Sequence, residues 1–357
     1  MSTLYISGIQ NTKEEEAIIK ETFIKTTNNV EWLKKGETVL IKPALNSPDP
    51  YLATTHPKTI KIITDILIKK GAKVIIGDQS GVGHVLHGPE GVLKGSSSHN
   101  YAKSGMKTDN KARFIGFEEE GWDKGFFHFK SKDTSSWQNG FYITNWINKA
   151  DHMISLPRLS THVQAGVTLG FKNMVGLLRE DSRLEFHMNG PLSTFMKIRA
   201  KQADIDVKND KSNSFFNKIV EISLAIRSKL RLTMITATKA QVTLGPDKKM
   251  ICPFFSSQVV SLNPGVVIAS SDQAAVEIFG IALLTFLYQE LKERDKKLQK
   301  IVLLLNKQIK ELGTYSVYEN PFVRHALKLN LGEKNVTPVW NNISKTYINH
   351  INTLLKT

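Results

Sequence analysis

Three polar side chains stand within a short segment that is otherwise rich in glycine and small residues. The segment Ser155–Gly176, SLPRLSTHVQAGVTLGFKNMVG, contains His162, Lys172 and Asn173. An imidazole donates or accepts a proton near neutral pH, or binds a metal. An ammonium binds an oxyanion, and it becomes a base or a covalent amine when burial lowers its pKa. We therefore predict a site with His162 and Lys172 as catalytic residues and Asn173 as a substrate contact.

Ordinary packing is the alternative explanation for two of these residues. A backbone carbonyl can satisfy the ring of His162, and the ammonium of Lys172 can simply extend to water. The two explanations differ in geometry, because catalysis requires both side chains to face one concave pocket at the rim of a sheet.

The charged run that follows supplies two guanidiniums and a second imidazole. Arg179 and Arg183 are four residues apart in the sequence, which is about one helical turn, so we predict that they form a substrate-binding anion clamp. A solvated helix with internal Arg–Glu pairs is the alternative. His187 is a candidate metal ligand together with His162. The HExxH pattern and a nucleophile elbow are absent from the sequence, which disfavours a metalloprotease or a simple hydrolase.

The elements that must position these residues follow an α/β pattern. Thr38–Pro43 predicts a buried strand, His56–Gly71 an amphipathic helix with proline near its start, and Ala72–Gly77 the next strand. The order strand, helix, strand favours parallel pairing of the two strands. We predict an α/β fold with a mostly parallel or mixed sheet flanked by helices, and a helical C-terminal region.

The loop after the second of these strands lies where open parallel sheets usually bind ligands. It is rich in glycine and contains Asp78, His84 and His87, of which we assign Asp78 to the substrate. The glycine spacing matches neither a dinucleotide fingerprint nor a Walker loop, so a flexible loop with surface histidines is the alternative.

The remaining elements are predicted from periodicity and from cap residues. Asp272 is expected to cap a buried helix that begins near Ala274. The other predicted strands are 4–8, 141–143, 152–156, 232–235 and 265–269, the other predicted helices are 13–28, 208–232, 291–312 and 339–355, and irregular connections with short strands are expected over 94–139. Because no repeat or linker interrupts the chain, we predict one elaborated domain over residues 1–357.

Composition limits the class of protein. The 357 residues are 41% apolar, as in a globular protein, and include one cysteine, Cys252. One cysteine excludes an internal disulfide framework and an all-cysteine iron–sulfur site, which favours a reducing cytosol. The sequence has neither the order of a secretion signal nor the ~20 consecutive apolar residues that cross a bilayer. We predict a cytoplasmic protein without a membrane span.

The net charge of +15 allows a different class of function. A basic surface attracts nucleic acid or an acidic protein, so a non-catalytic binding protein is the alternative to an enzyme. The basic residues are mostly lysines spread along the chain, and we therefore do not favour nucleic acid. A cluster of lysines on one face, especially over 292–310, would favour this alternative.

Four longer segments carry a resemblance to a known family. They are IKPALNSPDPYLATTHPKT, GAKVIIGDQSGVG, NKADHMISLPRLSTHVQAGVTLGFKNMVGLL and GVVIASSDQAAVEIFG. In their order and in their residues, these segments resemble the domain of unknown function 362 family over about residues 38–332. Residues 333–357 are then a C-terminal helical extension. The resemblance implies an α/β fold without an established reaction. Its hallmark positions are Lys42-Pro43 through Asn46, Asp78, Thr161-His162, Lys172-Asn173 and Asp272, and on this ground Asn46 joins the predicted substrate contacts.

The chain departs from this family in two places. Many members carry cysteine-rich ferredoxin-like clusters, so with a single cysteine we expect no iron–sulfur cluster here. The family's acidic position ahead of the Ala-rich segment is Thr236 in this sequence, and the later acidic position is Glu277. A site that needs the first carboxylate would be impaired.

A more distant similarity concerns the order of His162, Lys172 and His187. This order is similar to that in nickel-pincer lactate racemases, although their Gly-Thr-His-Arg motif is absent. The similarity implies that Lys172 holds a pyridine-derived cofactor and that the histidines serve a divalent metal or move protons. Together, the sequence predicts an enzyme that acts on a small anionic substrate, of racemase, isomerase or oxidoreductase type, whose cofactor and oligomeric state are open.

Overall fold

The computed structural model describes residues 2–109, 111–188, 192–207, 214–247 and 259–356. The strands are β1 Ser2–Gly8, β2 Thr38–Pro43, β3 Lys73–Asp78, β4 Leu86–Gly88, β5 Gly91–Lys94, β6 Arg113–Gly116, β7 Phe126–Phe129, β8 Phe141–Thr144, β9 His152–Leu156, β10 Ser160–His162, β11 Gly166–Thr168, β12 Leu230–Ala237, β13 Ala240–Gln241, β14 Ser261–Leu262, β15 Val266–Ser270 and β16 Val336–Asn341. Cys252 lies outside the described residues.

The helices alternate with these strands along the chain. They are α1 Glu15–Thr26, α2 Pro57–Lys69, α3 Ser97–Lys103, α4 Trp146–Lys149, α5 Gly170–Asn173, α6 Glu180–His187, α7 Ser193–Gln202, α8 Phe215–Glu221, α9 Gln273–Gln289, α10 Glu293–Leu305, α11 Pro321–Lys328 and α12 Lys345–Lys356. Short 3₁₀ turns cover Phe117–Glu120, Met174–Leu177, Ile222–Ala225 and Val317–Glu319.

Eight strands form the main sheet in the order β16-β1-β15-β12-β9-β2-β3-β6. Only β15 runs against its neighbours β1 and β12, and the other pairings are parallel. The carboxyl ends of β2, β3 and β9 therefore meet at one edge. The predicted α/β fold with a mostly parallel or mixed sheet, flanking helices and a helical C-terminal region is confirmed.

The strand order reverses next to β2. The chain passes from β2 to β3 on one side, whereas β9 lies on the other side of β2. Such a reversal leaves a crevice outside the carboxyl ends of the strands, which is the usual ligand position in open α/β sheets. After β9, a small sheet in the order β11-β10-β13-β14 follows in the chain and carries His162.

Helix α9 is buried along almost its whole length and packs against the main sheet. The side chain of Asp272 caps it, as predicted, by accepting a hydrogen bond from the amide of Ala275 at 3.1 Å. An apolar surface on all sides is typical of a helix inside a core. Within the described residues, none of the helices combines the length and the apolar character that crossing a bilayer requires.

Three predicted helices were too long. The helix predicted over 291–312 is α10, which ends at Leu305. The helix predicted over 208–232 is α8, Phe215–Glu221, with a 3₁₀ turn, and from Leu230 the chain forms the central strand β12; residues 208–213 lie outside the described residues. The helix predicted from Val339 begins at Lys345, because Val336–Asn341 pairs with β1 as an edge strand. An edge strand tolerates Pro338, since one side of it needs no backbone donor.

Candidate functional site

A cleft opens at the carboxyl ends of β2, β3 and β9. Strands β2 and β3 contribute side chains at their ends, the chain after β9 contributes others, and α5 and α6 supply the opposite wall. The lining residues are Lys42, Ala44, Leu45, Asn46, Asp78, Gln79, Gly81, Arg158, His162, Thr168, Lys172, Asn173, Val175, Gly176, Arg183 and Pro246. Besides His162, the lining contains two lysines and two arginines but only one carboxylate. It therefore favours an anionic ligand.

A buried ion pair forms the floor of the cleft. Lys42 Nζ lies 2.8 Å from Asp78 Oδ1, and both side chains are almost fully buried. The carboxylate also accepts hydrogen bonds from the amides of Leu45 and Gln79, at 2.8 and 2.7 Å. Burial raises the pKa of Asp78 and lowers that of Lys42, while their mutual attraction opposes both shifts. The pair neutralises itself and leaves the other basic side chains to act on a ligand.

Asn173 ties this pair to α5. Its side-chain oxygen accepts a hydrogen bond from Lys42 Nζ at 3.3 Å, and its amide nitrogen donates to Ser155 Oγ at 3.1 Å. Asn173 therefore holds α5 against the ends of β2 and β9, in addition to lining the cleft.

His162 is held in one tautomer by the turn between β10 and β11. Its Nδ1 accepts hydrogen bonds from the amides of Gln164 and Ala165, at 3.0 and 3.2 Å. Because backbone amides only donate, Nδ1 carries no proton and the neutral ring carries its proton on Nε2. Burial and the nearby charges of Lys172 and Arg158 lower the pKa of His162 well below its ordinary value. The ring thus offers an N–H donor, and metal binding through Nε2 would require both backbone bonds to break.

Lys172 reaches the same cleft from α5. Within the described part of the chain, its ammonium has neither a hydrogen-bond acceptor nor a carboxylate partner. Burial first, and then the charge of Arg183, lower the pKa of Lys172 to about 7. The amine is therefore present in both protonation states at neutral pH, which suits it to bind an anion or to transfer a proton.

Arg183 is buried beside a carboxyl group with which it is imperfectly paired. Its Nη1 lies 3.3 Å from Glu180 Oε2, and its Nη2 donates to the carbonyl of Ser80. Burial raises the pKa of Glu180 to about 7, against the opposing charge of Arg183. Glu180 is then only partly ionised at neutral pH, so that it neutralises only part of the guanidinium charge.

Several buried polar atoms around the cleft have no hydrogen-bond partner among the described residues. They are Thr168 Oγ1, Gln79 Oε1, and Nε and Nη1 of Arg183. Buried polar atoms in native proteins are nearly always hydrogen-bonded, to protein, water or ligand. Their concentration at one cleft, next to a lysine that has no hydrogen-bond acceptor among the described residues, indicates a binding site for a polar ligand.

A buried carboxyl group from α9 positions the short helix that carries Lys172. Glu277 Oε2 accepts a hydrogen bond from the amide of Phe171 at 3.1 Å, at the N-terminus of α5. Burial raises the pKa of Glu277 to about 8, although its bonds to the amides of Phe171 and Gly170 oppose this shift. At pH 7 the group is mostly an uncharged acid that still offers an acceptor oxygen.

We expect Glu277→Gln to leave the free energy of unfolding within about 1 kcal/mol of the original value at pH 4, where the carboxyl group is protonated when folded, because the amide keeps the acceptor. Glu277→Ala is expected to lower it by about 2–3 kcal/mol through a cavity and an unpaired amide. The folded-state pKa is raised, so the contribution of Glu277 is full below 4.5 and disappears as the pH rises through about 8. Urea titrations of both variants at several pH values measure this slope, which Glu277→Gln should lack. Equal losses in the two variants would contradict the positioning role.

The structure brings most of the predicted site residues together. His162, Lys172, Asp78, Asn173 and Arg183 all line the cleft. Asn46 lines it too, and its side-chain amide donates to Asp247, whose other oxygen lies 2.9 Å from the ring of His84.

Arg179 and His187 do not line the cleft. Arg179 pairs with Asp181, with Nη2 2.8 Å from Oδ2, and its guanidinium stacks on the ring of Tyr142 at 3.4 Å. His187 donates from Nδ1 to the carbonyl of Arg183 and packs against Phe186. Within the described ranges, three or more His, Cys, Asp or Glu side chains are nowhere grouped as metal ligands would be.

Sequence reasoning missed three residues that shape the cleft. Arg158 follows Pro157 and donates to the carbonyls of Leu52 and Pro246, which holds its charge at the cleft wall. Gln79 and Thr168 contribute two of the unpartnered polar atoms. The sequence signal for Arg158 was an arginine two residues after a buried strand, since charged residues are seldom buried without a role.

Comparison with known proteins gives matches to solved structures at low sequence identity. None of the curated proteins compared with this chain matches it in sequence. The chain is similar to a Thermotoga maritima protein solved by the Northeast Structural Genomics Consortium, at 14% identity and a TM-score of 0.39, over 63% of this chain and 51% of that one. It therefore spans about half the length of that protein. It is also similar to the lactate racemase apoprotein from Thermoanaerobacterium thermosaccharolyticum, at 12% identity and a TM-score of 0.38, over 98% of this chain and 86% of that one.

A family model matches a continuous part of the chain, residues 39–282, which is more than half of its length. The matched range contains the Lys42–Asp78 pair and the cleft residues His162, Lys172 and Arg183. The family resemblance expected from the sequence motifs is thereby confirmed, and the chain belongs to the family described as Domain of unknown function (DUF362).

Proposed function

We propose that the chain is an enzyme that acts on a small anionic substrate in the cleft at the ends of β2, β3 and β9. Lys172 binds the anion and exchanges a proton with it, and His162 donates a hydrogen bond from Nε2. The single cysteine in the sequence supports a cytoplasmic setting for this enzyme.

One observation carries the proposal: the ammonium of Lys172 contacts the ring of Phe186 at 5.5 Å but has neither a hydrogen-bond acceptor nor a carboxylate partner among the described residues, although it lies in the cleft with Arg183. Arg183 is only partly neutralised by Glu180, so it repels the charged form of Lys172, and burial raises the cost of this arrangement. An anion between them would remove that cost.

The protonation states assign a role to each group. His162 is neutral and has its proton on Nε2, so it stabilises negative charge on a substrate oxygen without itself taking up a proton. Lys172, with a pKa of about 7, is the group that changes protonation state in the working range. A pKa near the operating pH is the property that general acid–base catalysis requires.

Titration calorimetry with oxalate, a small dianion, tests this assignment. We expect Lys172→Met to weaken oxalate binding by roughly 10- to 150-fold, which corresponds to the loss of one charged hydrogen bond of about 1.5–3 kcal/mol. Only the ammonium form attracts the anion, so binding should weaken by about 30-fold between pH 6 and pH 8.5, as Lys172, with a pKa of about 7, loses its proton. Ionisation of Glu180 adds to this slope, and Lys172→Arg separates the two contributions because arginine stays charged.

Lys20→Met serves as the matched control, because Lys20 is exposed on α1 and does not line the cleft. This variant should bind oxalate as the original protein does. Equal affinity in Lys172→Met and Lys20→Met, or no oxalate binding by the folded original protein, would reject the cleft as the anion site.

A further inference from the structure

The amine of Lys172 has the surroundings that covalent chemistry with a carbonyl compound requires. It lies in the cleft, has neither a hydrogen-bond acceptor nor a carboxylate partner among the described residues, and shares a lining that holds a neutral N–H donor and a guanidinium. We propose that Lys172 forms a Schiff base with a small 2-oxo acid. This inference rests on the proposed function, because it identifies the class of anion that the same cleft receives.

The first argument concerns the amine as a nucleophile. An amine attacks a carbonyl carbon only in its uncharged form, and a lysine in water is almost entirely protonated at neutral pH. Burial and the neighbouring charge of Arg183 lower the pKa of Lys172 to about 7, so a large fraction of the amine is uncharged. An ion pair would block the attack by holding the proton, and Lys172 has no carboxylate partner in the described chain.

The second argument concerns the carboxylate of the ligand. Arg183 is close enough to Lys172 for its charge to act on the amine, and its Nε and Nη1 are buried without a hydrogen-bond partner. A ligand that contacts both residues needs its anionic group close to its reactive carbon. A 2-oxo acid meets this condition, because its carboxylate is bonded directly to the carbonyl carbon.

The third argument concerns the carbonyl oxygen. His162 carries a proton on Nε2, and Thr168 adds a hydroxyl group without a partner among the described residues. Attack by Lys172 forms a C–N bond and places negative charge on the oxygen, which such donors stabilise. The intermediate then loses the oxygen as water, which takes up both hydrogens of the amine, and a C=N bond remains. The step consumes one amine and one carbonyl, releases one water and needs no oxidant or reductant.

Trapping with cyanoborohydride tests this inference on the full chain. The reagent reduces an imine to a stable secondary amine, so incubation with pyruvate should add one reduced pyruvyl group per chain. Peptide mass spectrometry should locate this group on Lys172. Acetone has the same carbonyl but no carboxylate, and we expect it to give at least tenfold less labelling at the same concentration.

Two variants complete the test. Lys172→Arg keeps the charge but forms no imine, so it should bind oxalate and give no adduct with pyruvate. Lys20→Met should bind oxalate and also form the adduct. Circular dichroism checks that each variant is folded. Labelling of Lys172→Arg equal to that of the original protein, or labelling spread over surface lysines, would overturn the inference. Oxalate binding without any adduct would overturn the Schiff base and leave the anion site intact, while the loss of both would reject the two proposals together.

Discussion

Replacing Lys42 by Met is expected to lower the free energy of unfolding by about 3–5 kcal/mol. The ammonium of Lys42 lies 2.8 Å from Asp78, and both side chains are almost fully buried at the ends of β2 and β3. Its removal leaves the Asp78 carboxylate in a protein interior without a counter-charge. Either that charge stays buried at high cost, or the carboxyl takes up a proton and weakens its bonds to the amides of Leu45 and Gln79. Urea-induced unfolding at pH 7 measures the loss.

An exposed ion pair provides the matched control. Lys61 Nζ also lies 2.8 Å from its partner, Asp65, but about half of each side chain is exposed. Exposed pairs of this kind stabilise proteins by about 0–1 kcal/mol, so Lys61→Met should have a small effect. The double variant Lys42→Met with Asp78→Asn should lose less than the sum of the two single variants. Additive losses, or a loss for Lys42→Met as small as for Lys61→Met, would show that the buried pair contributes little.

The edge of the sheet at which the site lies could be predicted from the sequence. The sequence predicts two buried strands, Thr38–Pro43 and 72–77, with a helix between them. Parallel strands place their carboxyl ends at the same edge of the sheet. The direct contact between Lys42 and Asp78 was not predictable, because it depends on the register of β2 against β3, in which Ile41 lies opposite Ile76. Buried strands have apolar side chains on both faces, so their sequences carry no signal for register.

The arginine pair shows a second limit of sequence reasoning. Arg179 and Arg183 were expected to act together because four residues span about one helical turn. Helix α6 begins at Glu180, however, and Arg179 precedes it in an extended conformation, with φ −67° and ψ 157°. Its side chain therefore turns towards Asp181 and Tyr142, and only Arg183 reaches the cleft. Helix starts are set by local caps and tertiary packing, which periodicity leaves uncertain by a residue or more.

The glycine-rich segment 155–176 was more informative than the arginine pair, since His162 and Lys172 line the same cleft as expected. Glycine allowed this prediction because a missing side chain marks places where the backbone approaches other groups closely. The polar contacts from distant segments, such as Glu277 against the amide of Phe171, required the packing of α9 and gave no local signal.

The close approach at Gly176 leads to the second large effect, in which Gly176→Ala lowers the free energy of unfolding by about 2–4 kcal/mol. A Cβ atom at this position would lie 2.0 Å from Asp78 Oδ1 and 2.9 Å from Lys42 Nζ. To accept the methyl group, either the buried ion pair must separate or the turn after α5 must move away. Movement of the turn would also break the bond from the amide of Gln79 to the carbonyl of Gly176, which is 3.2 Å long. Because the same turn follows Lys172, oxalate binding by calorimetry should weaken along with the stability in urea.

Gly83→Ala separates this steric effect from the general effect of replacing glycine. No heavy atom lies within 4 Å of a Cβ atom built at Gly83, and neither Gly83 nor Gly176 has a positive φ that alanine would resist. Alanine at position 83 should therefore be neutral or stabilise the fold by about 0.4–1 kcal/mol, through a smaller loss of backbone entropy on folding. If Gly176→Ala proved as stable as Gly83→Ala and kept full oxalate affinity, the backbone at position 176 would not abut the Lys42–Asp78 pair, and the cleft floor derived from that contact would be wrong.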